Sequence, residues 1–160
     1  MGDRCFVRIR IGGEITPAGI EALLAANDEV QLEKETIECA IEKGDYLDVE
    51  VEEVNWGNVD SIEQACIDHN LTISVYNGEG GSYGPGLRYW KPGMPESISR
   101  ELMFDGGQAI TLETIHRITE KETSKAKKFD AVMRWLKESF DVPPLTLATR
   151  EKKSGGEQHP

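Results

Sequence analysis

The sequence predicts an α+β domain, a mixed sheet of about five or six strands covered by helices, with a further helix near the C-terminal end. Three observations carry this. Several short segments alternate apolar and polar residues with a period of two, as half-buried strands do. Between them, apolar residues recur at three- and four-residue steps beside N-capping residues, as helices require. The length of 160 residues suits one hydrophobic core, which at this size needs no disulfide or metal staple. Residues 1–140 are expected to form the domain and residues 141–160 a polar, loose tail.

Cys5, Val7 and Ile9 alternate with Phe6, Arg8 and Arg10, predicting a first strand that ends at Gly12-Gly13. Thr16-Pro17 then supplies an N-cap and a proline at the first helical position. Ile20, Leu23 and Leu24 give that helix its buried stripe, and Asn27 its stop. Residues 30–33 read as a short strand. Residues 35–43 fit both periods: Ile37, Ala40 and Ile41 suit a helix, whereas Ile37, Cys39 and Ile41 suit a strand. Gly44 directly afterwards favours the helix.

Leu47, Val49 and Val51 point one way and Asp48, Glu50 and Glu52 the other, the pattern of a strand with one wet face. Asn58 can cap a helix to about residue 69 that buries Val59, Ile62, Ala65 and Cys66. Residues 71–76 form another strand. The glycine-rich run 78–86 is a turn, and residues 87–91 and 98–104 are strands around Pro92-Gly93-Met94-Pro95. Thr111 caps a short helix through residue 118. The last helix covers about 124–140, with Ala126, Phe129, Met133, Leu136 and Phe140 as a narrow apolar seam. That seam either docks on the domain or joins two copies in a homodimer.

Charge is segregated along the chain. The net charge is −11, yet residues 28–68 alone hold 14 acidic residues against Lys34 and Lys43, while the remainder is nearly neutral. Residues 121–137 run the other way, with six basic residues against Glu122 and Asp130. No apolar run approaches the roughly 18 residues of a membrane span, and the first residues lack a signal peptide's apolar core. Phe6 stands where a myristoylation signal wants Ser or Thr. Three cysteines with no CxxC pair argue against a disulfide framework or a zinc module and for a reducing, cytoplasmic setting.

One resemblance accompanies this reading. Asn55-Trp56-Gly57-Asn58, the helix to His69-Asn70 and the hairpin ending Arg88-Tyr89-Trp90-Lys91-Pro92-Gly93-Met94 resemble a group of small acidic proteins of bacterial and mobile-element genomes. The likeness spans residues 37–118. It implies a bacterial or phage setting and no particular activity.

The strongest candidate site is the acidic strand. Residues two apart on a strand stand about 6.8 Å from each other, so Asp48, Glu50 and Glu52 form a row that folding alone does not favour. The row, with Glu53 and with Trp56 as an aromatic anchor, is expected to bind a protein partner with a basic surface. In its sharpest form this is an inhibitor that imitates the phosphates of nucleic acid. Two plainer readings stand beside it: a solvated edge that resists aggregation, and internal pairing with the basic last helix. Direct nucleic-acid binding is disfavoured by the concentrated negative charge.

Other chemistry is poorly supplied. Cys66 and His69 invite a nucleophile–base pairing, but on a helix Cys66 faces inward and no orienting third group follows. His116 lies three residues after Glu113 and reads as a surface contact. No metal-ligand motif occurs, and no cofactor is expected. The glycine run 78–86 precedes a strand and contains Glu79, unlike a phosphate cradle. The rival to a binding protein is a small enzyme with a carboxylate-based site.

Overall fold

The computed structural model describes residues 4–26, 30–55, 57–81, 83–103 and 110–148. Among them the chain forms, in order, β1 (Arg4–Ile15), α1 (Pro17–Ala25), α2 (Lys34–Lys43), β2 (Leu47–Asn55), α3 (Asp60–Asp68) and β3 (Thr72–Asn77). There follow β4 (Gly86–Trp90), β5 (Ile98–Glu101), α4 (Leu112–Thr119), α5 (Lys125–Leu136) and β6 (Leu145–Leu147). The strand order is β2-β1-β3-β4-β5 with antiparallel neighbours, and β6 adds to β1 in parallel. The α+β class expected from the sequence is the one observed.

The alternation of β1 sends Val7, Ile9 and Ile11 to one face, where α1, α2 and α3 cover them through Leu23, Ile37, Ile62 and Cys66. Each such side chain gains about 1.5–3 kcal/mol from leaving water. Thr16 caps α1 by accepting a hydrogen bond from the Gly19 amide, with Pro17 at the first helical position. Residues 34–43 are helical, and Gly44 ends α2 in the left-handed region at φ 66°, a conformation that costs glycine nothing. Asn58 serves α3 by accepting from the Asp60 amide.

Several expectations are corrected. β1 does not stop at Gly12-Gly13 but continues to Ile15, because β6 pairs with residues 13–15. Gly12 lets this happen: a Cβ there would fall 1.7 Å from the Pro143 carbonyl oxygen. Residues 141–148 are therefore not the start of a loose tail. Leu145 is fully buried, and its amide donates to the Asp45 carbonyl. Residues 30–33 form no strand; Val30 and Leu32 are buried as part of the irregular approach to α2. The expected stop at Asn27 and the tail beyond 148 lie outside the described residues.

The last helix ends at Leu136, short of residue 140. Phe140 leaves the helix to meet the Tyr89 ring at 5.3 Å, and the Tyr89 hydroxyl donates to the Asp141 carbonyl. Only part of the expected seam docks. Phe129 is 63% and Leu136 40% exposed, while Trp135, outside the seam, makes the inward contact. A helix facing one strand's end needs one large anchor, and Trp135 fills that role over Arg100.

Substituting Gly12→Ala should lower stability by about 1–3 kcal/mol through overpacking against Pro143. Leu145→Ala should cost about 2–5 kcal/mol. Urea melts of both variants check this. Wild-type midpoints in the two would mean that β6 contributes nothing to the fold.

Candidate functional site

β2 is the outer strand of the sheet, so its carboxylates stand at an edge. Leu47 is buried beneath it, while Glu50, Glu52 and Glu53 are exposed and Asp48 is half-buried. The register sets Arg8 opposite Glu50 and Arg10 opposite Asp48. Arg8 grips Asp48 with two hydrogen bonds, of 2.8 Å from Nε and 2.5 Å from Nη2. Its Nη1 also lies 3.3 Å from Glu50 Oε1, and Arg10 Nε lies 3.5 Å from Asp48 Oδ2. The hydrogen bond from Arg8 holds the Asp48 carboxyl below its ordinary range, and Asp48 in turn raises the Arg8 guanidinium.

Asp48 and Glu50 of the row are thus paired internally, though not by the last helix. Their partners come from β1, which alternates arginines outward while it buries apolar residues inward. α5 lies at the other end of the sheet, where Trp135 meets Arg100 of β5. The row is also broken. Between Cys5–Val54 and Val7–Val51 the register slips by one residue, placing a bulge at residues 52–53. Glu53 there has φ 62°, a strained setting for a side chain with a Cβ. Its carboxylate meets Arg4 at 3.0 Å in an exposed pair. Trp56, expected as the anchor, lies outside the described residues.

A concavity lies on the face of the sheet covered by α1, α2 and α3. α1, α2 and the end of β6 enclose a groove of about 460 Å³. Ile20, Leu24, Ile41 and Leu147 form its apolar floor, and Glu21, Glu38 and Glu42 stand on its rim with Lys34. Leu147 is half exposed there. Lys34 approaches Glu38 at 3.5 Å, while Glu21 and Glu42 make no ion pair among the described residues. The acidic helix α2 was legible in the sequence, but the groove was not. It needs α1 and β6 brought beside α2 by the sheet.

Cysteine chemistry finds no support. Cys66 is fully buried, and burial, with Glu63 nearby, pushes its thiol well above the ordinary value. His69 caps the end of α3. No group of three His, Cys, Asp or Glu side chains converges to hold a metal ion among the described residues. Tyr89 and Trp90, on opposite faces, are both buried, Trp90 in the core and Tyr89 under Phe140. No helix among the described residues is long and apolar enough to cross a membrane.

Removing the Arg8 partner by Asp48→Asn should destabilise the fold by about 1 kcal/mol, as expected for a partly exposed pair. Because the folded Asp48 carboxyl lies below 3.8, its stabilisation is present above that value and is lost as pH falls through the lower folded one. Melting curves of wild type and variant should therefore differ at neutral pH and converge in strong acid. Among the thiols, exposed Cys39 should react quickly with a disulfide reagent, whereas buried Cys5 and Cys66 should wait for unfolding. Three equally fast thiols would contradict the packing. No family model, no curated protein and no solved structure matches the chain.

Proposed function

We propose that the chain is a non-enzymatic binding protein whose partner is a protein presenting a basic, amphipathic helix. The observation that carries this is the groove between α1 and α2, with its apolar floor and its rim of Glu21, Glu38 and Glu42. An amphipathic helix lays its apolar face into such a groove, and cations flanking that face meet the rim. The exposed Glu50, Glu52 and Glu53 of β2 add long-range attraction for a basic partner, which raises the on-rate more than the affinity. The strain accepted at Glu53 agrees with an edge kept acidic for a purpose beyond folding.

The narrower reading, an inhibitor imitating nucleic acid, has less support. Arg8 and Arg10 stand among the carboxylates of the row, so the charge ladder is neither continuous nor unpaired. An enzyme reading centred on the acids of β2 has less support, because they lie on an open strand with Asp48 bonded to an arginine. The expected setting remains a bacterial or phage cytoplasm.

The test uses a synthetic helical peptide of alternating leucine and lysine faces as the probe. Binding should be saturable and should weaken about tenfold in the triple variant Glu21→Gln, Glu38→Gln, Glu42→Gln. Leu24→Lys, which places a cation on the groove floor, should abolish it. Asp48→Asn, Glu50→Gln, Glu52→Gln together should mainly slow association and flatten its salt dependence. Equal affinity of the Leu24→Lys variant and wild type would remove the groove as the docking site.

A further inference from the structure

Helix α5 carries an apolar stripe that its own chain leaves uncovered. Phe129 is 63% exposed, and Leu136, two turns later on the same side, is 40% exposed. The two stand about 10 Å apart along the helix axis. None of the residues of α5 is fully buried. Lys125, one turn before Phe129, and Lys137, next to Leu136, stand at the two ends of the stripe. From Lys125 to Lys137 there are five basic residues against Asp130 alone. None of the five makes an ion pair among the described residues. α5 is therefore a basic amphipathic helix, anchored on one side by Trp135 over Arg100 and open on the other.

The register of the sheet keeps this helix away from the groove of its own chain. Arg100 lies opposite Leu87, Leu87 opposite Tyr76, and Tyr76 opposite Arg8. α5 docks on Arg100, and the residues after it dock on Tyr89 through Phe140, so the helix lies on the arginine face of β1. The groove of α1 and α2 lies on the face of Val7, Ile9 and Ile11. Each copy thus holds both halves of one recognition mode on opposite faces. One half is a groove with an apolar floor and an acidic rim; the other is a helix with an apolar stripe and basic ends.

Resting on that reading of the groove, we propose that its occupant is α5 of a second copy of this chain. Phe129 and Leu136 enter between α1 and α2. The lysines beside them meet the rim, where Glu21 and Glu42 have no ion pair among the described residues. Charge decides against the symmetric alternatives. A two-fold contact sets one patch against itself, so α5 on α5 would place lysine beside lysine, and groove on groove glutamate beside glutamate. Helix in groove is complementary in charge as well as in polarity. The net charge of −11 on each copy opposes contact elsewhere on the surface.

Sedimentation of the full chain over a concentration series tests this. The wild type should self-associate as its concentration rises. Phe129→Glu with Leu136→Glu, both at exposed positions, should leave the fold intact and the protein monomeric. Leu24→Lys in the groove should also give a monomer. The decisive step is to mix the two: one variant keeps a sound groove and the other a sound helix, so together they should form a one-to-one complex. Should Leu24→Lys unfold, Glu21→Lys with Glu42→Lys, both exposed, reverses the rim and takes its place. A wild type that stays monomeric up to its solubility limit, or a mixture that forms no complex, overturns the proposal. So does a folded groove variant that still self-associates, which would set α5 against α5. The leucine–lysine peptide separates this outcome from the fate of the groove itself. Peptide binding by a wild type that does not self-associate removes only the second copy as partner, whereas no peptide binding by the wild type or the helix variant removes the groove.

Discussion

β1 is the constraint on which the rest of the structure depends. Three strands bond to it: β2 along one side, β3 along the other, and β6 at its far end. A strand so fully paired must satisfy two faces at once. Inward it carries Val7, Ile9 and Ile11 under three helices. Outward it carries Arg8 and Arg10, which answer the carboxylates of β2. Without those arginines the acids lined up along β2 would have no counter-charge beside them, and neighbouring like charges on one face repel. The acid-rich strand can sit beside β1 because β1 brings cations to the same face.

The sheet carries helices on both faces. α2, drawn from the acidic segment, lies with α1 and α3 over the apolar face. α4 and α5, the latter drawn from the basic segment, lie over the opposite face near β4 and β5. Two concavities result, of different character. One has an apolar floor and an acidic rim; the other, among β5, α4 and α5, is lined by arginine, lysine and glutamate side chains together.

Short-range physics on its own decided much of this architecture. The period-two runs of β1, β2 and β3, the caps at Thr16, Thr111 and Ser124, and the stop at Gly44 each rest on interactions within a few residues. Such interactions are fully written in the local sequence. The segment 35–43 shows the limit. Its apolar residues fit two periods, and only the adjacent glycine broke the tie.

What tertiary structure decided depends on residues far apart in the chain. That Arg8 meets Asp48 follows from the register of β1 on β2, including the bulge at residues 52–53. That β1 runs past two glycines depends on Pro143 crossing Gly12 and on Leu145 entering the core. Composition marked both segments as punctuation, because glycine and proline usually end elements; here their small size and missing donor let two backbones cross. The pairing of Arg100 with Trp135 and the isolation of its Nε and Nη1 follow from where α5 docks. The sequence by itself determined most of the elements and the wet faces of β1 and β2, but not β6, the irregular segment 30–33 or the inward face of α5. Only the fold decided which charges meet, since an ion pair across a sheet depends on register, and register is set by the whole core.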